Sequence, residues 1–299
     1  MPLSRRRGAS CTALVMATAG ACLLAACGSA TKAPPDRAAA ATNAPLHSLM
    51  RNAAAGKTTL DVASNIEYPP FESYAADNTT VQGVDRELAD EFEKLLGVKL
   101  VFHNTAFDAI IPGLAAERYD LAMSAMSDTV ERQKQVDFVD YLKAGGGIML
   151  PKDNPHKVAA LDDLCGLKVA IDKGTTEVQD GQDQIKKCRA NGRPAPEISI
   201  FPGQNQMVLA LQSGRADAAL IDSTAGGYVA GQTGAFTMLP PYESGSFGIV
   251  FRKGDTALEQ AFAKALERLA RDGTYQKILA KYGQETGTLD SFPINGVTS

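Results

Sequence analysis

The feature that limits this chain most is a repeating order of short apolar runs and amphipathic stretches. TTLDVAS (58–64), VKLVF (98–102) and DLAMSAM (120–126) read as strands. Between them, Asp85 to Leu96 sets Leu88, Phe92 and Leu95/Leu96 on one helical face, stopped by Gly97, and Phe107 to Glu117 reads as a second helix. Two prolines in Tyr68-Pro69-Pro70-Phe71 make that segment a loop. Strand and helix in alternation predict a βαβ sheet rather than a hairpin protein. The order resumes after Gly145-Gly146-Gly147, with strands at 167–171, 197–201, 218–221 and 236–239 and helices at 176–189, 205–213 and 223–230. A second glycine-bearing crossing, 243–248, leads to a strand at 249–252 and helices at 256–271 and 275–282. Two α/β blocks joined by two such crossings predict two lobes with a cleft between them, glycine supplying the dihedral freedom of a hinge. The same glycines also read as plain turn residues.

A length of 299 residues suits about two domains. The first 27 residues stand outside that frame. Arg5, Arg6 and Arg7 precede an apolar run to Ala26, the pattern of a secretory leader rather than a membrane span. The run ends Leu24-Ala25-Ala26-Cys27-Gly28, which resembles a bacterial lipobox, in which the Cys27 equivalent is lipidated and becomes the mature N-terminus. Residues 28–56 are rich in Ala, Pro, Thr and Asn and read as a flexible tether. The expected division is therefore 1–27 leader, 28–56 tether, 57–145 with 246–299 as one lobe, and 146–245 as the other. Of five cysteines, Cys11 and Cys22 leave with the leader and Cys27 is modified. Cys165 and Cys188 remain, and in an exported protein they are expected to pair.

A formal charge of −4 gives no basic face for nucleic acid. Three histidines without ligand spacing give no metal site, and GxSxG, HExxH, CxxC and phosphate-cradling loops are absent. No catalytic residue and no cofactor is expected. Two charged residues stand out instead. Arg132 follows the strand ending at Ser124–Met126, in SAMSDTVERQKQVDF (124–138), where open α/β sheets bind ligands. Asp128 and Glu131 have capping-box spacing, so a helix is expected to begin at Asp128 and to present free N–H groups to an anion. A guanidinium there can grip a carboxylate with two parallel bonds, or pair with a surface acid. Asp222 ends the apolar run Ala218–Ile221 in the second block, placed to accept bonds from an ammonium group or to cap the next helix. An anion site on one lobe and a cation site on the other describe a receptor for a zwitterion.

YPPFE (68–72), FDAIIPGL (107–114), DLAMSAMSDTVERQKQVDF (120–138), KGTTE (173–177) and GRADAALID (214–222) occur in this order. Together they resemble the polar amino-acid solute-binding proteins of ABC importers, family 3, over about residues 58–283. The resemblance implies a two-lobed α/β fold of the periplasmic-binding-protein type II class, each lobe a mostly parallel sheet flanked by helices, with two hinge crossings. It implies closure on one free amino acid, polar or basic. The partners implied are an ABC permease and its ATPase, and a membrane reached through the lipid anchor at Cys27, for an extracytoplasmic monomer. It places Arg132 and Ser127 on the ligand α-carboxylate, Asp222 and the Ala125 carbonyl on its α-ammonium, and Tyr68 and Phe107 around its side chain, Phe107 reading also as core. Thr175 and Thr176 fall in a ligand-contacting loop and read also as helix caps. Asn65 stands where some binders of basic amino acids have Asp, and Ala125 where Gly is frequent. Glu67 and Glu72 are expected near the side-chain end of the pocket, facing a cationic side chain or solvent. Two other readings share the fold. A cyclohexadienyl (arogenate) dehydratase would need a general acid and several cations for a dicarboxylate. A ligand sensor would need a signalling partner.

Overall fold

The computed structural model describes residues 42–54 and 56–298. The expected leader and Cys27 lie outside the described residues. Helix α1 (His47–Ala53) leads to β1 (Thr59–Ser64), a small antiparallel sheet of β2 (Glu67–Tyr68), β3 (Glu72–Tyr74) and β4 (Val81–Gln82), and α2 (Val84–Leu96). Then come β5 (Lys99–Asn104), α3 (Ile110–Ala115), β6 (Leu121–Ser127), the single turn α4 (Val130–Gln133) and β7 (Val136–Ala144). The middle of the chain forms β8 (Gly146–Pro151), β9 (Lys168–Asp172), α5 (Glu177–Ala190), β10 (Glu197–Phe201), α6 (Gln204–Gln212), β11 (Ala218–Asp222), α7 (Ser223–Thr233) and β12 (Phe236–Met238). The last elements are β13 (Gly245–Arg252), α8 (Thr256–Arg271) and α9 (Thr274–Lys281).

Two five-stranded sheets carry the lobes, in the orders β5-β1-β6-β13-β7 and β10-β9-β11-β8-β12. They follow one plan. Three parallel strands lie on one side, and two antiparallel pairings complete the other. Side chains alternate between two buried faces, as strand geometry requires. Leu121 and Met123 face one core and Ala122 the other; Ala219 and Ile221 face one core, Ala218 and Leu220 the other. Burial on both faces makes these strands read as unbroken apolar runs.

The structure adds elements and revises part of the expected organisation. Strands β7 and β8 were not foreseen; they are the strands through which the chain leaves the first sheet and enters the second. Gly145, Gly146 and Gly147 all keep ordinary φ values, and close approach gives a separate reason for glycine at the first two. A Cβ on Gly145 would sit 2.1 Å from the Glu243 carbonyl oxygen, and one on Gly146 2.4 Å from the Tyr242 ring. The two crossings thus run too close together for a side chain. Part of the expected tether is helical: in α1, Met50 is buried in the core that α8 shares, and the Leu46 N–H donates to the Leu95 carbonyl at 2.8 Å. Leu46 and Met50 supply the apolar spacing that the small, polar composition of 28–56 concealed. Cys165 and Cys188 are disulfide-bonded, tying the turn before β9 to the end of α5. Among the described residues no helix is long and apolar enough to cross a membrane.

Candidate functional site

In both sheets the carboxyl ends of the parallel strands point to one small cavity. From the first lobe it is lined by Asn65 after β1, Tyr68 in β2, Phe107, Ala125 and Ser127 in β6, and Arg132. From the second it is lined by Asp172 at the end of β9, Thr175, Thr176, Glu177 at the start of α5, and Asp222 at the end of β11.

Arg132 is aimed by its neighbours. Thr129, not Asp128, caps α4: its side-chain oxygen accepts from the Arg132 N–H at 3.2 Å. Asp128 is buried and engaged elsewhere, by Gln133 Nε2 at 2.8 Å and the Val297 N–H at 3.2 Å. Gln133 is therefore tied into the fold rather than solvated. The guanidinium donates to the Ser127 carbonyl at 2.8 Å and, across the cleft, to the Gly174 carbonyl at 3.0 Å. It lies 5.5 Å from the Phe107 ring centroid, within cation–π range. Burial draws its pKa down, while the charges of Asp222, Glu177 and Asp128 oppose the shift.

The opposite wall is acidic. Asp172, Glu177 and Asp222 are only 4 %, 1 % and 6 % exposed. Burial, and next the neighbouring Glu177, lifts Asp222 well above the usual carboxylate range, against the Tyr68 hydroxyl and Arg132. Burial likewise raises Glu177, and it raises Asp172 to about 7. Tyr68 Oη donates to Asp222 Oδ2 at 2.6 Å, joining the two lobes. Lys173 and Asp108 make a second link at 2.8 Å.

Nine of the expected residues therefore line the cavity: Asn65, Tyr68, Phe107, Ala125, Ser127, Arg132, Thr175, Thr176 and Asp222. Phe107 lines the cavity and also packs against a core cluster. Glu72 is a correction. It is wholly buried in β3, where Ser124 Oγ donates to it at 2.9 Å, and it does not line the cavity. Glu67 also stands off the cavity wall, facing Gly203. Asp172 and Glu177 went unassigned in the sequence. A signal for Asp172 was present, since KVAID (168–172) ends in the same apolar-run-then-Asp pattern as AALID (218–222).

Residues 60–285 match the family model for bacterial extracellular solute-binding proteins, family 3. The arginine-binding protein ArgT of Corynebacterium glutamicum is 29% identical over 253 residues, covering 84% of this chain and 82% of that protein. An ancestral arginine-binding protein, solved with arginine bound, is 33% identical with a TM-score of 0.70, over 76% of this chain and 98% of that one. An ancestral amino acid-binding protein described as a precursor of cyclohexadienyl dehydratase is 32% identical with a TM-score of 0.69, over 79% of this chain and 98% of that one.

Proposed function

The chain belongs to the bacterial extracellular solute-binding proteins, family 3, and from that premise we propose that it captures one free polar or basic L-amino acid and delivers it to an ABC importer. One observation carries this reading: the Arg132 guanidinium, in the turn α4 after β6, and the Asp222 carboxyl, at the end of β11, line a single cavity. In the proposed complex Arg132 and Ser127 take the α-carboxylate, Asp222 and the Ala125 carbonyl take the α-ammonium, and Asn65, Tyr68, Phe107, Thr175 and Thr176 line the rest. Relatives named for arginine support the substrate class. Because the ligand would bond to both lobes, it favours the closed arrangement by its preference for that arrangement. Tyr68–Asp222, Arg132–Gly174 and Lys173–Asp108 are the direct bonds that hold the lobes together beside it.

We further propose that the protein works outside the cytoplasm, anchored through lipidated Cys27, as a monomer that meets a permease and its ATPase. The division proposed is residues 57–145 and 246–299 as one lobe and 146–245 as the other. A binding protein rather than a dehydratase is favoured because, among the described residues, Arg132 is the one Lys, Arg or His lining the cavity, whereas a dicarboxylate substrate needs at least two cations.

A calorimetric screen of the proteinogenic amino acids tests the function. One or a few are expected to bind, and Arg132→Ala should abolish detectable binding of each. Binding of a sugar or peptide alone would refute the proposal. Loss of membrane partitioning in Cys27→Ala tests the anchor.

A further inference from the structure

Asp172 and Glu177 line the cavity, yet each keeps one buried oxygen, Asp172 Oδ1 and Glu177 Oε1, without a hydrogen-bond partner. A buried carboxylate oxygen left unpaired is costly, so the site is chemically incomplete. The neighbouring cations do not complete it. Arg132 gives one donor each to the Ser127 and Gly174 carbonyls and none to either orphan oxygen, and Lys173 turns away to Asp108. Three acids therefore face one guanidinium. If the α-groups of an amino acid engage Arg132 and Asp222 one to one, two acids remain for whatever the side chain brings.

We propose that Asp172 and Glu177 form the side-chain subsite and that it accepts a cationic side chain, a guanidinium or an ammonium. The inference rests on the amino-acid-binding reading above and extends it to residues to which that reading gives no role. A neutral side chain would leave both orphan oxygens without a charge partner, and an acidic one would add a third negative charge. A guanidinium carries five N–H donors in a plane, enough to serve two separate carboxyls.

Binding of a cation at this subsite is coupled to a proton. Burial brings Asp172 to about 7; the Lys173 N–H draws it down, while Glu177, Glu67 and Asp108 push it up. Arg132, Tyr68 and Asp222 share the cavity, and Asp180, Tyr242 and Glu243 lie close to Glu177. At pH 6 the Asp172 carboxyl holds its proton, and at pH 8 it has lost it. An arriving cation therefore displaces that proton to solvent near neutrality, and affinity rises with pH.

The test is calorimetry with two matched pairs, arginine against its neutral isostere citrulline and lysine against norleucine. Titrations run at pH 6, 7 and 8 in two buffers of different ionisation heat. In at least one pair the cation should bind about tenfold or more tightly at pH 8, the scale of a charged hydrogen bond. Its affinity should fall toward pH 6 with net proton release, while the neutral partner stays level. Asp172→Asn should narrow the ratio about tenfold and remove the proton release. A cooperative thermal unfolding transition in the variant shows that it is folded. Equal affinities within both pairs, or an unchanged ratio in Asp172→Asn, overturn the subsite while leaving amino-acid binding intact. Failure of all four to bind while another amino acid does also overturns it. Failure of every amino acid overturns both readings.

Discussion

Two groups of buried carboxyls lie on either side of the cavity wall and solve the same problem differently. In the first lobe, Glu72 and Asp85 are completely buried beside each other. Ser124 Oγ donates to Glu72 at 2.9 Å, Tyr141 Oη to Asp85 at 2.7 Å and the Ala125 N–H to Asp85 at 3.4 Å. Burial, and next the charge of Asp85, raises Glu72 well above the usual carboxylate range, and burial brings Asp85 to about 6. Glu72 Oε2 is left without a hydrogen-bond partner here too, but neither Glu72 nor Asp85 lines the cavity. In the second lobe, Asp172, Glu177 and Asp222 face the cavity with two orphan oxygens between them. Burial of an acid is thus no sign of function by itself. The sign is an acceptor left without a donor on the wall of a cavity.

The largest effect should come from breaking the cavity group. Asp222→Ala is expected to lower amino-acid affinity by about 2–5 kcal/mol, the cost of leaving a buried charged partner alone. Folding stability should change less, because losing a carboxyl that Glu177 repels offsets the Tyr68 hydroxyl left without its acceptor. Calorimetry and denaturant unfolding read the two quantities separately. A variant that unfolds while binding normally would merge the two groups into one structural class.

The converse change should exchange the readouts. Asp85→Ala orphans the Tyr141 hydroxyl and the Ala125 N–H, at about 1–3 kcal/mol for each group left unpaired. The midpoint of urea unfolding is expected to drop, with amino-acid affinity at saturating protein stability moving only a few-fold. An affinity loss as large as that of Asp222→Ala would show that Asp85 serves the ligand directly.

The same contrast explains what the sequence disclosed. Arg132 and Asp222 were legible because each follows an apolar strand at the end where such sheets bind ligands. Helix α8 was legible at both ends, since Leu258, Phe262, Leu266 and Leu269 mark a single buried face. Strand β7 was not, because seven of its nine residues are buried, Asp137 and Asp140 among them, and no period survives. Glu177 reads as an ordinary acid in the first turn of a helix, a position favoured for helix stability alone. Glu72 looked like a solvated loop carboxylate because its partners, Asp85 and Ser124, are distant in sequence. Pairings of that range are set by the sheet and not by local pattern.

A smaller effect separates the groups by pH. Asp85 is pushed by burial to about 6 and Asp172 to about 7, both above the roughly 3.9 of an unfolded chain. Each group binds its proton more tightly when folded, so its contribution to stability is complete below about pH 4 and is lost as pH rises through 6 and 7. The unliganded protein is therefore expected to melt lower at pH 8 than at pH 5. Asp172→Asn should recover about 1 kcal/mol of that loss, roughly 2–4 °C, and leave the share of Asp85 in place. Identical pH profiles for the native protein and the variant would remove Asp172 from the titrating set.

The smallest effect concerns Ala125, which belongs to both groups at once. Its N–H reaches Asp85, its side chain lines the cavity, and its φ is +43°, the left-handed region that glycine tolerates best. A Cβ in that region costs about 1–2 kcal/mol, part of which is offset because alanine restricts the unfolded chain more than glycine does. Ala125→Gly should thus stabilise the fold by about 0.5–1 kcal/mol and widen the cavity where the α-ammonium is proposed to sit. If the strain serves only the scaffold, melting temperature rises and affinity stays level. If the strain holds the Ala125 carbonyl toward the ligand, the same variant gains stability and loses affinity. The sign of the affinity change then says on which side of the wall this residue acts.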